Sequence, residues 1–146
     1  MKLSTRSRYG LRFLLELAGS WKEGSIRTLH DIATCQEISE KYLWSLVPPL
    51  KSAGYIETVR GAAGGYRLAC DPGTITLRNI VEILDGGIEL ASCSGRTGNC
   101  PRRGHCMAAE IWREVSKGFD EVLERYSLAE IMRREKLLKS EAMYFI

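Results

Sequence analysis

Three of the five cysteines, Cys93, Cys100 and Cys106, fall within fourteen residues in the spacing Cys-x6-Cys-x5-Cys. Zinc knuckles pair their cysteines more closely, about two to four residues apart. Here the stretches between the thiols are longer, glycine-rich and basic: Ser94-Gly95-Arg96-Thr97-Gly98-Asn99, then Pro101-Arg102-Arg103-Gly104. Thiolates spread this widely can wrap an iron–sulfur cluster several ångströms across. Guanidinium and backbone N–H groups would offset the negative charge of such a centre. Cys106 opens a long helical pattern, where the helix dipole favours a thiolate. The alternative is a flexible loop carrying reactive thiols. A fourth ligand is open among three candidates. His105 lies about 100° round a helix from Cys106. Glu110 follows Cys106 by four residues and shares its helix face. His30 belongs to an earlier helix and reaches the site only from a partner subunit. For each of the three, a solvated or core role is the competing assignment. Cys35 and Cys70 read as small buried residues.

The elements that position these groups follow from periodicity and capping. A first helix is expected over 3–21, with Tyr9, Phe13, Leu14 and Leu17 at helical spacing and Ser4 or Thr5 as cap. A second runs over 28–35 behind Thr28. The short linker Gln36-Glu37-Ile38 leads to Ser39, which opens a third helix over 40–53. Pro48 and Pro49 fall inside that helix and predict a bend or a restart. Gly54 closes it. Residues 55–60 and 66–69 read as the strands of a hairpin around Gly61-Ala62-Ala63-Gly64-Gly65. Thr76 caps a fourth helix over 77–84. A long helix follows over 106–126, with Ile111, Val115, Phe119 and Val122 on one stripe, and a short one from Ser127 to about residue 138.

Helix, helix, short linker, helix, hairpin is the order of a winged helix–turn–helix, whose later helix lies in the DNA major groove. Ser39, Lys41, Tyr42 and Ser45 stand near the start of that helix. Arg60 and Gly61 mark the first corner of the wing, where glycine lets the backbone approach phosphates. A small helical domain with a purely structural hairpin is the alternative. The expected fold class is mainly α with a small β-hairpin, a winged helix–turn–helix domain plus a long dimerisation helix. The stripe Ile111, Val115, Phe119, Val122 is longer than one small domain can easily cover, which points to a symmetric homodimer; the alternative is packing on the same chain.

Charge and composition bound the function class. The chain has 146 residues with 45% apolar content, enough for one small domain with an appendage. Residues 1–70 carry ten Lys/Arg against six Asp/Glu, whereas residues 71–146 carry eleven against twelve. The basic excess therefore sits in the N-terminal half, which fits a weak electrostatic footprint for nucleic acid, an asymmetry that many neutral enzymes share. No apolar run approaches the roughly 20 residues of a membrane span. Residues 1–6 are basic but lead into no secretory leader, so the cytoplasm is the expected compartment. No phosphate-binding glycine motif follows a strand, and the two histidines lack an acid–base arrangement, so no enzyme is expected.

Several stretches together resemble the IscR/NsrR-type regulators, the Rrf-two family of bacterial winged-helix repressors. They are Met1-Lys2-Leu3-Ser4 with Arg8-Tyr9-Gly10-Leu11-Arg12; Ile38-Ser39-Glu40-Lys41-Tyr42-Leu43 with Pro48-Pro49-Leu50-Lys51-Ser52-Ala53-Gly54; and Val59-Arg60-Gly61-Ala62-Ala63-Gly64-Gly65-Tyr66-Arg67-Leu68. The resemblance spans nearly the whole chain. It implies dimerisation through the long helix, binding to double-stranded DNA, and a [2Fe–2S] or [4Fe–4S] cluster on Cys93, Cys100 and Cys106 whose state sets DNA affinity. It does not supply the fourth ligand. Many members carry a histidine three residues after the third cysteine, where this chain has Ala109. The nitric-oxide sensors use a carboxylate near the N-terminus, and the matching position is Arg8. Two positions after the tyrosine of the recognition helix, an acidic or polar residue is common, and here stands Trp44.

The sequence thus divides into a DNA-binding domain over 1–86, a cluster-binding loop over 87–106, and a dimerisation and C-terminal helix region over 107–146. The expected function is a dimeric, iron–sulfur-dependent transcription regulator, a repressor by resemblance, that senses cluster, iron, redox or nitric-oxide status. The alternatives are a zinc- or thiol-based redox regulator on the same fold, and an interaction module controlled by a protein partner with incidental cysteines.

Overall fold

The computed structural model describes residues 3–93 and 99–144. Its described residues form six α-helices, one two-stranded antiparallel hairpin and a short 3-10 turn at Pro72–Thr74. The helices are α1 (Thr5–Gly19), α2 (Leu29–Gln36), α3 (Glu40–Ser52), α4 (Leu77–Asp85), α5 (Met107–Glu124) and α6 (Leu128–Tyr144); the strands are β1 (Ile56–Val59) and β2 (Gly65–Leu68). This is the expected winged helix–turn–helix followed by a long helix.

The central element is α1. Phe13, Leu14 and Leu17 are fully buried, because they recur on the one stripe that α2, α3, α4, β2 and α6 all pack against. Ser4 caps α1 by accepting the Ser7 amide at 3.2 Å. Its hydroxyl donates to Asp85 at the end of α4, and Ser7 Oγ donates to Asp85 Oδ2 at 2.7 Å. The carboxylate therefore sits at the positive end of α1, where the dipole favours it. Gly10 lies at the α1–α4 crossing, and a Cβ there would run into the Leu84 side chain.

The turn between α2 and α3 is tight. Glu37 takes the left-handed conformation (φ 52°, ψ 42°), Ile38 drops into the core, and the Ser39 side chain accepts the Tyr42 amide at 3.2 Å. α3 does not restart at Pro48 and Pro49 but runs through both as one helix. Those prolines deprive the carbonyls of Trp44 and Ser45 of their donors. Trp44 and Ser45 are both exposed, so water can replace the lost bonds. Ala53 ends the helix and Gly54 follows in the left-handed region at φ 76°.

In the wing, Ile56 pairs with Leu68, Glu57 with Arg67, Thr58 with Tyr66 and Val59 with Gly65. Ile56, Tyr66 and Leu68 point into the core. A third segment joins the hairpin, since Arg27 and Tyr66 exchange both backbone hydrogen bonds, at 2.8 and 2.9 Å. Gly65 is required there, because a Cβ would lie 2.5 Å from the Arg27 carbonyl oxygen.

Two further features depart from the sequence expectations. Cys35 is exposed rather than buried. The buried face of α2 is set by Leu29 and Ile32, and Cys35 falls off that face in the last turn. Cys70, by contrast, is half-buried against the core. The final helix α6 extends to Tyr144 rather than to about residue 138. Past its buried start, charged pairs at helical spacing line it in place of a buried apolar stripe. Glu130 pairs with Arg133 and Arg134, at 2.8 and 2.7 Å, and Glu135 with Lys139 at 2.6 Å. The two guanidinium groups hold the Glu130 carboxyl down to about 2.

The first residue of α6, Leu128, is fully buried in the winged-helix core. Its amide donates to the Ile75 carbonyl at 2.9 Å, and the Leu77 amide donates to the Tyr126 carbonyl at 2.8 Å. Leu128→Ala is therefore expected to remove about 2–5 kcal/mol from the stability of the whole domain in one cooperative transition. Urea unfolding checks this; a loss below about 1 kcal/mol, or a separate early transition, would show that α6 folds apart from the core.

Candidate nucleic-acid interface and thiol loop

Two sites are built on this frame, at opposite ends of the chain's order. The first is the outward face of α3 with the wing. Leu43, Leu46, Val47 and Leu50 bury one side of α3, which leaves Lys41, Trp44, Ser45, Pro48 and Ser52 facing solvent. Lys41 is exposed. Tyr42 is half-buried, edge-on to Tyr9 with ring centres 5.3 Å apart. Ser39 is exposed and its oxygen caps α3, while Ser45 Oγ donates back to the Tyr42 carbonyl at 2.6 Å. Arg60 and Gly61 are exposed where β1 ends, and Gly61 has φ 115°, open only to glycine at little strain. Ser39, Lys41, Tyr42, Ser45, Arg60 and Gly61 thus stand at the start of the recognition helix and the corner of the wing.

Sequence reasoning missed the polar network that orients this face. Arg12 of α1 donates through Nε to Gln36 Oε1 at 3.0 Å and through Nη2 to the Gln36 carbonyl. Gln36 Nε2 donates to Glu16 Oε2 at 2.8 Å, and Glu16 pairs with Arg27 at 2.9 Å. Arg27 in turn bridges to Tyr66 of the wing. One chain of partly buried contacts therefore ties α1, the helix–turn–helix corner and the wing together. Arg12 and Glu16, which interrupt an otherwise apolar run over residues 11–18, were the available signal.

The second site is the thiol loop. Cys93, Cys100 and Cys106 are all half-exposed free thiols. Residues 94–98 of the loop lie outside the described residues. Pro101, Arg102, Arg103, Gly104 and His105 are exposed, and the backbone turns through Arg103 N–H to the Cys100 carbonyl at 3.0 Å and His105 N–H to the Arg102 carbonyl at 3.1 Å. Cys106 is the N-cap of α5 and makes no side-chain cap bond. The first-turn amides of an 18-residue helix are thus left beside a thiol. Glu110 is exposed in that first turn. His30 is exposed on α2, with Nδ1 3.5 Å from Glu40 Oε2. Among the described residues, no three His, Cys, Asp or Glu side chains are gathered closely enough to hold a metal ion. The donor set, three accessible thiols beside a helix N-terminus in a basic loop, nevertheless fits a thiolate-ligated group in its chemistry.

Beyond Cys106, α5 buries only Ala109 fully. Ile111, Val115, Phe119 and Val122 are 48, 39, 42 and 45% exposed. The stripe does not pack on its own winged-helix domain. Contact with α4 is instead polar: Arg78 approaches Asp120 and Glu124 at 3.9 and 3.8 Å. No helix of the described residues is long and apolar enough to cross a membrane.

A helix–turn–helix with a wing, an exposed basic recognition face and a long helix with a bare apolar stripe define a winged-helix transcription regulator. The chain belongs to the Rrf2 family, described as iron-dependent transcriptional regulators, which matches residues 3–134. It is 39% identical over 142 residues to the protein Rrf2 of Nitratidesulfovibrio vulgaris, covering 97% of this chain and 94% of that one. Among solved structures it is similar to CymR, the global cysteine regulator of B. subtilis, with a TM-score of 0.75 and 34% identity over 92% of this chain and 98% of that one. It is similar also to IscR of T. potens, with a TM-score of 0.74 and 32% identity over 92% of this chain and 88% of that one.

Arg12→Ala should break the orienting network without removing any group from the outward face of α3. The expected result is a stability loss of about 1–3 kcal/mol, since a partly buried charged donor bonded to Gln36 is lost. Equilibrium unfolding measures it, and an unchanged midpoint would show the network to be a solvent-side ornament.

Proposed function

We propose that the chain is a dimeric, cytoplasmic, DNA-binding transcription regulator whose DNA affinity is set by an iron–sulfur cluster on Cys93, Cys100 and Cys106. The observation that carries this is the position of Cys106 at the N-cap of α5, the helix with the uncovered apolar stripe. Whatever binds the thiols therefore acts on the end of the helix that would join two subunits. The description of the family as iron-dependent supports the reading. In a dimer built on Ile111, Val115, Phe119 and Val122, α5 sets the spacing of the two recognition helices, and a shift at its start changes that spacing. Ser39, Lys41, Tyr42, Ser45, Arg60 and Gly61 would meet the duplex. The division of labour follows the chain: DNA binding over 1–86, the cluster loop over 87–106, and dimerisation over 107–146, with the start of α6 returned to the core.

A bound cluster would supply a centre that gains or loses electrons and reacts with oxygen, nitric oxide or thiols. The chain's own part is to provide three thiolates, to offset their charge with the basic loop and the α5 N-terminus, and to leave the fourth position to a weaker donor. His105, Glu110 and a partner's His30 are the candidates for that position. The second reading is a thiol- or zinc-based regulator, favoured by similarity to a cysteine regulator and by the free thiols.

Two experiments test these assignments. Iron and sulfide are measured per chain in the five Cys→Ser variants purified anaerobically. Loss is expected at positions 93, 100 and 106 and retention at 35 and 70; full iron in any of the first three rules out the site. A colourless protein holding zinc or no metal selects the second reading. For assembly, sedimentation of the wild type should give a dimer at micromolar concentration, and Phe119→Glu a monomer that remains folded, because a charge in a desolvated stripe is unpaired. A monomeric wild type would overturn the dimer.

A further inference from the structure

Within residues 3–86, Trp44 is the one large apolar side chain more than half exposed, at 57%. Its neighbours at helical spacing on α3 are Lys41, Pro48 and Lys51, which gives an apolar patch with a cation at either end. The patch forms one wall of a groove whose other wall is the wing, through Thr58 and Arg60. No carboxylate lines the groove, and among the described residues Lys51 and Arg60 are held in no ion pair. An indole left in water on a face ringed by uncommitted cations suits an anionic partner that also offers a small apolar group.

We propose that Trp44 is a sequence-reading residue that packs on the 5-methyl group of a thymine in the major groove, with Lys51 seating a neighbouring phosphate. The proposal rests on the DNA-binding reading and adds to it the base that is read. Among the four bases only thymine presents an apolar group in the major groove, and an aromatic or aliphatic side chain is its natural contact. An indole offers only a single donor, Nε1–H, and cannot form the two-point contacts by which Arg reads guanine or Asn reads adenine. Lys41, Lys51 and Arg60 supply the sequence-independent attraction to phosphates, and the discriminating apolar contact on this stripe falls to its largest uncharged side chain, the indole of Trp44.

The test starts from duplexes that the full-length, anaerobically purified protein selects from a random pool. Each thymine of a selected site is then replaced singly by deoxyuridine, which removes only the methyl group. For the wild type, one replacement in each half-site should weaken binding about fourfold, the effect of one buried methyl-sized group. Trp44→Ala should bind the thymine and uracil duplexes alike, and Trp44→Phe should keep part of the difference. Lys51→Ala should retain the thymine preference and lower the slope of log affinity against log salt by about 1. Trp44 is exposed, so these variants keep the fold, and circular dichroism checks that they do. Indifference of the wild type to every replacement, or an undiminished preference in Trp44→Ala, overturns the assignment while leaving DNA binding intact. Loss of dimerisation in Trp44→Ala with unchanged affinity per binding unit gives the face to a second copy and overturns it too. A pool from which nothing is enriched removes the DNA reading itself, and this inference with it.

Discussion

Two backbone hydrogen bonds, Leu77 N–H to the Tyr126 carbonyl and Leu128 N–H to the Ile75 carbonyl, fasten the far end of α5 to the winged-helix core. Leu128, fully buried behind them, makes the junction costly to open. The direction of α5 is set by this clamp together with its contact on α4, where Arg78 approaches Asp120 and Glu124. The helix is 18 residues and therefore about 27 Å long, and buries little of its own surface. Clamped at its C-terminal end, it becomes an arm that carries Cys106 at its start and a bare apolar stripe along its length.

The same logic of fixed ends governs the recognition face. α3 is one continuous helix because its prolines fall where water can serve the carbonyls they leave unpaired. Its angle to the wing is set from the core side, through Arg12, Gln36, Glu16 and Arg27. Partly buried charged groups that satisfy one another in sequence act as a specific joint, since each loses its partner if the corner shifts. The outward residues are left free of that duty, which is why Lys41, Trp44, Lys51 and Arg60 are available to a ligand.

The thiol loop stands apart from both. Its cysteines share accessibility and a basic surround, and Cys106 has the helix N-terminus besides, but among the described residues they are not drawn into one metal-holding group. Thiolate ligands repel one another, and a bound cation or cluster is what balances that repulsion. The proximity of the loop to the arm, rather than the geometry of the loop alone, links it to regulation in the proposed reading.

Local patterns in the sequence determined the element order, the helix caps at Thr28, Ser39 and Thr76, the choice of Ser4 or Thr5 for the first cap, and the hairpin with its glycine turn, because capping and periodicity are short-range effects. They also marked the apolar stripe of α5 and the clustering of Cys93, Cys100 and Cys106. Tertiary structure alone decided the rest. Whether the stripe of α5 was covered by its own domain depended on where α6 re-entered the core, a contact between residues some fifty positions apart, Ile75 and Leu128. Cys35 came out exposed because α2 presents only the Leu29–Ile32 side to α1 and α3, a choice among helix faces that composition does not make. α6 outran its apolar pattern because ion pairs and helix-forming residues sustain it beyond the last buried side chain. The network from Arg12 to Arg27 joins residues that are unremarkable singly, and only the packing of three elements on α1 brings them within hydrogen-bonding distance.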